Sequence, residues 1–299
     1  MKGLLIKLDR ALGLRAALED HVFTRPSPFF TPVFHLDERE EAEAHAAVSR
    51  MRETGAFMAG VRIAGERLRR LQAAMAEAYA GRRPDIKVVT NQRTGITHLG
   101  SPLQLHPELL ALATDRFLCG VVERYLRRRI VLADVDVRRV PPMNMEELNQ
   151  RAETRDVGYT SSHWHRDVRG RQVKVMFYLT DVTERDSSFV FLPGTHKGHH
   201  VRPRRIEGSR FSDEWVSQCG TTPFECYGPA GTAMVFDTNF IHRLRRKPTS
   251  TVRDSVTFYY TPGQETRVLD IQPEQFERLS RAARLLFAGK RIPMSGSGE

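Results

Sequence analysis

Two histidines and one aspartate in the C-terminal half of the chain carry side chains that bind transition metals. His165 and Asp167 form a His-x-Asp pair, and His242 follows much later, after a strand-like segment. Two imidazoles and one carboxylate can occupy one face of a ferrous ion, which leaves the opposite face open for other ligands. The sequence therefore predicts an open Fe(II) site formed by His165, Asp167 and His242.

Two polar residues downstream of His242 add a second kind of chemistry. Arg253 and Ser255 begin the strand-like run Arg253–Tyr260, in which alternate residues share one face. A guanidinium can bind a carboxylate through two parallel hydrogen bonds, and a hydroxyl on the same face can add a third. This pair therefore predicts a site for a carboxylate-bearing co-substrate beside the metal.

The histidine motifs also have other interpretations. His35 and Asp37 also fit the His-x-Asp pattern, but Asp37 is better placed as a helix cap, with Glu40 at the capping-box position. The His-Arg-Asp segment also occurs in protein-kinase catalytic loops. Gln172 stands where a kinase needs asparagine, and no glycine-rich loop precedes it. His242 by itself fits an ordinary structural histidine better than a metal ligand, so the prediction depends on the ordered set of five residues.

Residues 1–129 are predicted to be a helical part that packs on the core. Apolar residues recur there at helical spacing, and cap and stop residues bound the segments. Predicted helices cover Glu40–Arg52, Gly65–Ala80 and Pro107–Arg128, with a further leucine-rich helix near the N-terminus. That first helix has a basic face, so contact with a membrane surface remains an alternative to packing on the domain.

The pattern changes to β structure near Ile130. Strand-like runs at Gln172–Leu179, Ser188–Leu192, Thr232–Phe236 and Arg253–Tyr260 are separated by Gly/Pro turns, which favours a jelly roll, sandwich or barrel. The predicted fold is mainly β with flanking helices (α+β). A single domain of 1–299 would have its core at 130–262, a C-terminal helix within 263–290 and a flexible tail at 291–299. Segments 140–158 and 199–220 are predicted to be long loops that shape the substrate site.

Several ordered motifs resemble the phytanoyl-CoA dioxygenase family over about residues 130–262. They are Ser162-His-Trp-His-Arg-Asp167, Phe191-Leu-Pro-Gly-Thr-His196 and Gly231-Thr-Ala-Met-Val-Phe-Asp237, followed by His242 and Arg253. The resemblance implies a double-stranded β-helix (jelly-roll) core and an oxygenase that uses Fe(II), 2-oxoglutarate and O₂. His196 in the second motif is interpreted as structural.

The resemblance also assigns roles to residues of this chain. His165, Asp167 and His242 would bind iron, and Arg253 with Ser255 would hold the distal carboxylate of 2-oxoglutarate. Related halogenases have Gly or Ala in place of Asp167, so the aspartate favours hydroxylation, desaturation or cyclisation over halogenation. The chain departs from the family at Leu244, where a small or hydroxyl residue is common, and at Ser187-Ser188, where Asn-Gly is common.

The chain is basic, with 46 Lys and Arg against 36 Asp and Glu in 299 residues and a formal charge of +10. Arginines cluster near the motifs, which predicts an acidic or carrier- or CoA-bound small-molecule substrate, unless these side chains only face water. Nucleic acid is not expected, because aromatic residues do not interleave with the basic runs. The alternative is a non-catalytic basic β domain that binds nucleic acid or anionic lipid and does not need the five site residues.

The cysteine pattern and hydropathy indicate a cytoplasmic protein. The three cysteines, Cys119, Cys219 and Cys226, form no CxxC motif and predict neither a disulfide framework nor a zinc site. No apolar run reaches transmembrane length, and the apolar stretch after Met1 is too short for a signal-peptide core.

Overall fold

Two antiparallel β sheets face each other, and helices cover the outer side of the larger sheet. The computed structural model describes residues 30–92, 94–144, 146, 162–167, 172–197, 210–262 and 271–287. The predicted jelly-roll core with flanking helices is confirmed. The predicted helix near the N-terminus, most of the predicted loop 140–158, the first half of the predicted loop 199–220 and the tail lie outside the described residues. None of the described helices is long and apolar enough to cross a membrane.

The strands are divided between a seven-stranded and a five-stranded sheet. The larger sheet has the order β1-β10-β6-β12-β4-β3-β2, and the smaller has the order β8-β5-β11-β7-β9. Their bounds are β1 Ala56–Val61, β2 Val88–Thr90, β3 Thr97–Leu99, β4 Val131–Val140, β5 Trp164–His165, β6 Val173–Tyr178, β7 Ser188–Phe191, β8 Arg210–Phe211, β9 Phe224–Cys226, β10 Thr232–Asp237, β11 His242–Arg245 and β12 Arg253–Thr261.

The helices lie mainly before the core strands. Their bounds are α1 Glu38–Thr54, α2 Gly65–Tyr79, α3 Pro102–Leu105, α4 Pro107–Ala113, α5 Arg116–Leu126, α6 Asp213–Gln218, α7 Pro273–Glu277 and α8 Arg281–Leu285. The first residue of α1 follows the predicted cap. Asp37 accepts a hydrogen bond from Glu40 N at 2.9 Å, and the Glu40 carboxylate accepts one from Asp37 N at 3.1 Å. The His35-x-Asp37 copy is therefore structural, as expected.

Two predicted helices are interrupted in the structure. The helix predicted over Pro107–Arg128 ends at Ala113 and restarts at Arg116. Asp115 causes the restart, because its carboxylate accepts a hydrogen bond from Leu118 N at 2.9 Å and so caps α5. The C-terminal helix is likewise divided into α7 and α8, and Ser280 caps the second part through Ala283 N at 3.2 Å.

The N-terminal part is not purely helical, because three of its segments are strands of the larger sheet. β1 pairs with β10 at one edge, and β3 pairs with β4 toward the other edge, where β2 follows. These strands are short and mostly outermost, so their apolar alternation is weak. Their pairing with distant strands is a tertiary effect that local sequence does not encode. The β core thus draws on residues well before Ile130.

Apolar side chains form separate layers on the two faces of the larger sheet. On the outer face of β12, Val256, Phe258 and Tyr260 are fully buried under the helices. Between the sheets, Met176 and Phe236 pack with Phe189 of the smaller sheet. A third cluster covers the far side of the smaller sheet beneath α6; it contains Trp164, Val190, Leu192, Phe211, Val216 and Ile241.

Gly231, in the turn before β10, is expected to be intolerant of any side chain. Its φ is +92°, and an added Cβ would lie 1.8 Å from the carbonyl oxygen of Ile63. Gly60 also has a positive φ, +70°, but an added Cβ there would meet nothing within 4 Å. We expect Gly231→Ala to lower the free energy of unfolding in urea by about 3 kcal/mol and Gly60→Ala by about 1 kcal/mol. Equal losses would show that the close contact is not a constraint.

Candidate metal centre and co-substrate site

The three predicted metal ligands meet between the ends of two paired strands. His242 on β11 is the cross-strand partner of His165 on β5, and their ring centroids are 4.3 Å apart. Asp167 follows β5 and is held there by its N–H, which donates to Thr238 O at 3.2 Å. Oδ1 of Asp167 lies 3.5 Å from Nε2 of His165, and Oδ2 of Asp167 lies 3.5 Å from Nε2 of His242. One donor atom from each residue lies within 4.8 Å of the others.

Backbone carbonyls orient both imidazole rings. Nδ1 of His165 lies 2.7 Å from His163 O, and Nδ1 of His242 lies 3.0 Å from Phe240 O. A carbonyl oxygen only accepts, so each Nδ1 carries the hydrogen and each Nε2 presents a lone pair toward Asp167. Two imidazole nitrogens and one carboxylate in this arrangement fit the donor set of a ferrous ion with further coordination positions open.

The electrostatics keep Asp167 and His242 in metal-binding form. Burial would raise the pKa of Asp167, but His242, His165 and Lys174 outweigh it and hold that pKa well below its ordinary value. Burial lowers the pKa of His242, and the neighbouring His165 lowers it further. At neutral pH the site therefore offers an ionised carboxylate and, at His242, a neutral imidazole.

One side of the site is closed by aromatic rings. The ring of His242 lies 5.3 Å from that of Phe189, 6.0 Å from Phe236 and 5.2 Å from Phe240, measured between centroids. These rings belong to the apolar layer between the sheets. They restrict the approach of water and lock the orientation of His242.

Lys174 on β6 is a further member of the site that the sequence interpretation missed. Its Nζ lies 2.5 Å from Oδ2 of Asp167, and its ammonium lies 4.5 Å from the ring centroid of Tyr259. The Lys174 side chain is 11% exposed, so this is a nearly buried ion pair. A signal was present in the sequence: Lys174 is the one charged residue in the apolar strand Val173–Tyr178.

Lys174→Met tests whether the ammonium balances the charge of Asp167. Breaking a buried pair leaves an uncompensated charge, so we expect the metal-free protein to lose about 3 kcal/mol of unfolding free energy. The loss should be smaller with Fe(II) bound anaerobically, because the ion then supplies the positive charge. Urea unfolding with and without Fe(II) measures both, and the exposed Lys197→Met is the matched control. An equal loss in both conditions would leave Lys174 with a packing role only.

The predicted co-substrate residues lie on the inner face of the central strand β12. Arg253 is 5% exposed and Ser255 is 2% exposed. Arg253 Nη1 donates to Ser187 O at 3.3 Å, and its guanidinium lies 5.8 Å from the ring centroid of Tyr178. Ser255 is the cross-strand partner of Tyr178, so both residues face the gap between the sheets.

Leu244, where the chain departs from the family pattern, makes apolar contacts. It forms a small buried cluster with Ile96 and Val140. Val140 is the cross-strand partner of Arg253. The inner end of the site is therefore lined by aliphatic side chains beside the guanidinium.

Two of the arginines near the motifs, Arg243 and Arg245, face away from the site. His242 and Leu244 face inward on β11, so Arg243 and Arg245 face outward, where Arg243 Nη1 contacts Asp213 at 2.8 Å and Arg245 pairs with Glu225. Arg166 donates to Thr195 O at 2.7 Å. His196 also stays apart from the triad, since its Nε2 lies 3.2 Å from Arg52 O at the end of α1. Its structural interpretation agrees with that position.

A jelly roll that carries a His-Asp-His site is the architecture of the iron(II)/2-oxoglutarate-dependent oxygenases. The chain belongs to the phytanoyl-CoA dioxygenase family, whose model matches residues 51–254. The match begins in α1, well before the motifs, in agreement with the contribution of β1 to the core. A sequence comparison with curated proteins gives no match.

Solved structures of the same fold include several 2-oxoglutarate-dependent enzymes. The carbocyclase SnoK from nogalamycin biosynthesis is 17% identical, with a TM-score of 0.54 over 89% of this chain and 96% of that chain. The epimerase SnoN, in complex with Fe³⁺, α-ketoglutarate and nogalamycin RO, is 13% identical, with a TM-score of 0.57 over 86% and 97%. EctD from S. alaskensis, with 2-oxoglutarate and 5-hydroxyectoine, is 17% identical, with a TM-score of 0.56 over 80% and 82%.

Proposed function

We propose that this oxygenase hydroxylates an unactivated C–H bond of a small molecule. The observation that carries the proposal is the open His165-Asp167-His242 site with Arg253 and Ser255 on the facing strand. Bound iron and 2-oxoglutarate would supply the oxidising power: one atom of O₂ enters the substrate as hydroxyl, the other enters succinate, and CO₂ is released.

The residues of the chain have distinct parts in this reaction. His165, Asp167 and His242 would hold the metal through one face. Lys174 holds one oxygen of Asp167 and limits how the carboxylate can turn. Arg253 would bind the distal carboxylate of 2-oxoglutarate, and the Ser255 hydroxyl would donate to the same group. The aromatic rings around His242 would keep bulk water from that side of the metal.

Hydroxylation is favoured, but related outcomes need to be separated from it. Asp167 fills the coordination position that a halogenase leaves to chloride, which supports oxygen transfer or desaturation. A carbocyclase and an epimerase share the fold, so cyclisation and epimerisation are the nearest alternatives. Product mass distinguishes them: hydroxylation adds one oxygen atom, desaturation and cyclisation remove two hydrogens, and epimerisation leaves the mass unchanged.

The acidic or CoA-bound substrate predicted from the arginines stays a prediction, and two of those arginines do not support it. Arg243 and Arg245 pair with Asp213 and Glu225 on the outer side of the smaller sheet. Neither lines the gap between the sheets. SnoN is described with nogalamycin RO and EctD with 5-hydroxyectoine, which supports a small-molecule substrate for this chain.

The first experiment is the visible spectrum of the purified protein under anaerobic conditions. A weak charge-transfer band should appear only when both Fe(II) and 2-oxoglutarate are present. Admission of O₂ should then convert 2-oxoglutarate to succinate slowly, even without substrate. If neither the band nor succinate appears, the oxygenase proposal fails and the basic β domain that binds polyanions becomes the better hypothesis. Salt-sensitive polyanion binding that persists after chelation would support that hypothesis.

A further inference from the structure

Three polar side chains, two of them charged, form a connected cluster on β3 and β4, away from the candidate metal ligands. Nδ1 of His98 lies 2.8 Å from Oδ1 of Asp136, and Arg138 Nη2 donates to Oδ2 of the same carboxylate at 2.6 Å. The side chains are 35%, 18% and 25% exposed, respectively. Charged groups are costly to bury unless they are paired, so a cluster inside a β sandwich calls for an explanation.

Strand register places the cluster on the same face as the co-substrate residues. Arg138 is opposite Ser255, Asp136 is opposite Thr257, and His98 is opposite Arg138. Directly opposed residues of antiparallel strands point to the same side of the sheet. The cluster therefore faces the gap between the sheets, next to the predicted 2-oxoglutarate site.

The half of the gap that contains this cluster is accessible. On β12, the inward-facing Thr257 and Tyr259 are partly exposed, whereas the outward-facing Val256 and Phe258 are fully buried. Within the described residues, the other half of the gap, beside β1 and β10, is filled with apolar side chains, namely Met58, Met176, Phe189, Met234, Phe236 and Phe240. A substrate bound between the sheets would therefore find polar side chains on the β3–β4 side of the gap.

The distance between the cluster and the metal ligands suits a small molecule. Lys174, which contacts Asp167, is on β6, and Asp136 is on β4, with β12 between them. Neighbouring strands are about 4.8 Å apart, and Asp136 is two residues along β4 from the position level with Lys174, so the two backbones are separated by about 12 Å. Tyr259 lies between them, opposite Lys174 on one side and Asp134 on the other.

The chemistry of the cluster suits a neutral hydrogen-bonding group better than an ion. Burial would raise the pKa of Asp136, but Arg138 and His98 outweigh it and hold that pKa below its ordinary value, so the carboxylate is ionised. It then cancels the charge of Arg138. A carboxylate only accepts, so His98 Nδ1 carries the hydrogen and, in the neutral ring, Nε2 is an acceptor. The guanidinium of Arg138 carries five N–H donors in a planar fork, so it can bind more than one acceptor at a time.

We propose that His98, Asp136 and Arg138 form the substrate-recognition site, which binds a hydroxyl group of an uncharged, hydroxylated substrate. A hydroxyl accepts one hydrogen bond, from Arg138, and donates one, to His98 Nε2. Asp136 is the positioning residue that fixes both partners. This inference rests on the proposed oxygenase function and narrows its substrate class.

Paired probes test the proposal on the anaerobic complex with Fe(II) and 2-oxoglutarate. Methyl glucoside is compared with glucose phosphate, and naphthol with naphthalene sulfonate, each titrated by calorimetry. The uncharged member of at least one pair should bind about tenfold tighter than its anion. His98→Asn keeps a donor for Asp136 but loses the group at Nε2, so it should weaken that binding about tenfold, the weight of one hydrogen bond. His98→Gln, which reaches the Nε2 position, should retain more of it.

The controls separate this inference from the function on which it rests. The affinity for 2-oxoglutarate, read from the charge-transfer band, should be unchanged in both variants. Arg245→Met, on the outer side of β11, should change neither affinity. Any of four results would overturn the proposal. The anion of each pair could bind more tightly, or His98→Asn could leave probe binding unchanged. Protein that shows the band could bind none of the probes, or the His98 variants could lose affinity for 2-oxoglutarate and not for the probe. Absence of the band in the wild type would overturn the oxygenase function itself.

Discussion

Replacing Arg253 with methionine should raise the Kd for 2-oxoglutarate by about a hundredfold or more. The guanidinium is 5% exposed and faces the gap between the sheets, where little water competes for a bound carboxylate. Loss of one partner from a buried, charge-assisted pair costs about 2–5 kcal/mol, and each 1.4 kcal/mol is a factor of ten. Titration of 2-oxoglutarate into the anaerobic Fe(II) protein, followed by the charge-transfer band, measures the change.

Two further variants show whether the effect belongs to the carboxylate contact. Arg253→Lys keeps the charge but not the paired donors, so it should recover only part of the affinity. Arg245→Met removes an arginine on the outer side of the smaller sheet and should leave the Kd unchanged. Because Arg253 also donates to Ser187 O, urea unfolding of Arg253→Met is needed to exclude loss of structure. An unchanged Kd in a folded Arg253→Met protein would place 2-oxoglutarate elsewhere.

Asp167→Ala should lower the affinity for Fe(II) by more than about a hundredfold. Outer partners of metal ligands already contribute 10- to 100-fold, and removing a ligand itself should exceed that range. The variant also removes the partner of Lys174 and leaves a nearly buried ammonium beside two imidazoles, which repels a cation. Anaerobic titration of Fe(II) into metal-free protein provides the measurement.

The matched control for this variant is Asp213→Ala. Asp213 is also an aspartate close to a motif residue, since it accepts from Trp164 Nε1 at 2.9 Å, but it lies on the outer side of the smaller sheet. Its removal should leave Fe(II) affinity unchanged. If Asp167→Ala bound Fe(II) as tightly as the wild type, the His-Asp-His assignment would be wrong.

That the three candidate metal ligands lie together could be predicted because their chemistry depends on few residues in a fixed order. His165 and Asp167 are two residues apart in sequence, and the turn after β10 brings His242 beside them. Arg253 and Ser255 share a face by strand alternation alone. The structure brings all five to the gap between the sheets, as the sequence indicated.

Other features depended on tertiary contacts that a single sequence does not display. β1 is a strand because it pairs with the edge of β10. Lys174 is part of the site because the chain after β5 places Asp167 beside it. The direction of the Arg243 side chain could have been predicted from the sequence. Once His242 is placed inward, alternation along β11 points Arg243 and Arg245 outward, so these two arginines say little about the substrate.

The packing beneath α6 has a spectroscopic consequence. The chain contains two tryptophans, Trp164 and Trp215, and both lie in the cluster on the far side of the smaller sheet. The indole of Trp164 is covered by the guanidinium of Arg243 at 4.3 Å from the ring centroid, whereas His165, the next residue, faces the metal site. Tryptophan fluorescence, excited selectively over the seven tyrosines, therefore comes only from the far side of the smaller sheet. It monitors the strand that carries His165 and does not report on the helices that cover the larger sheet.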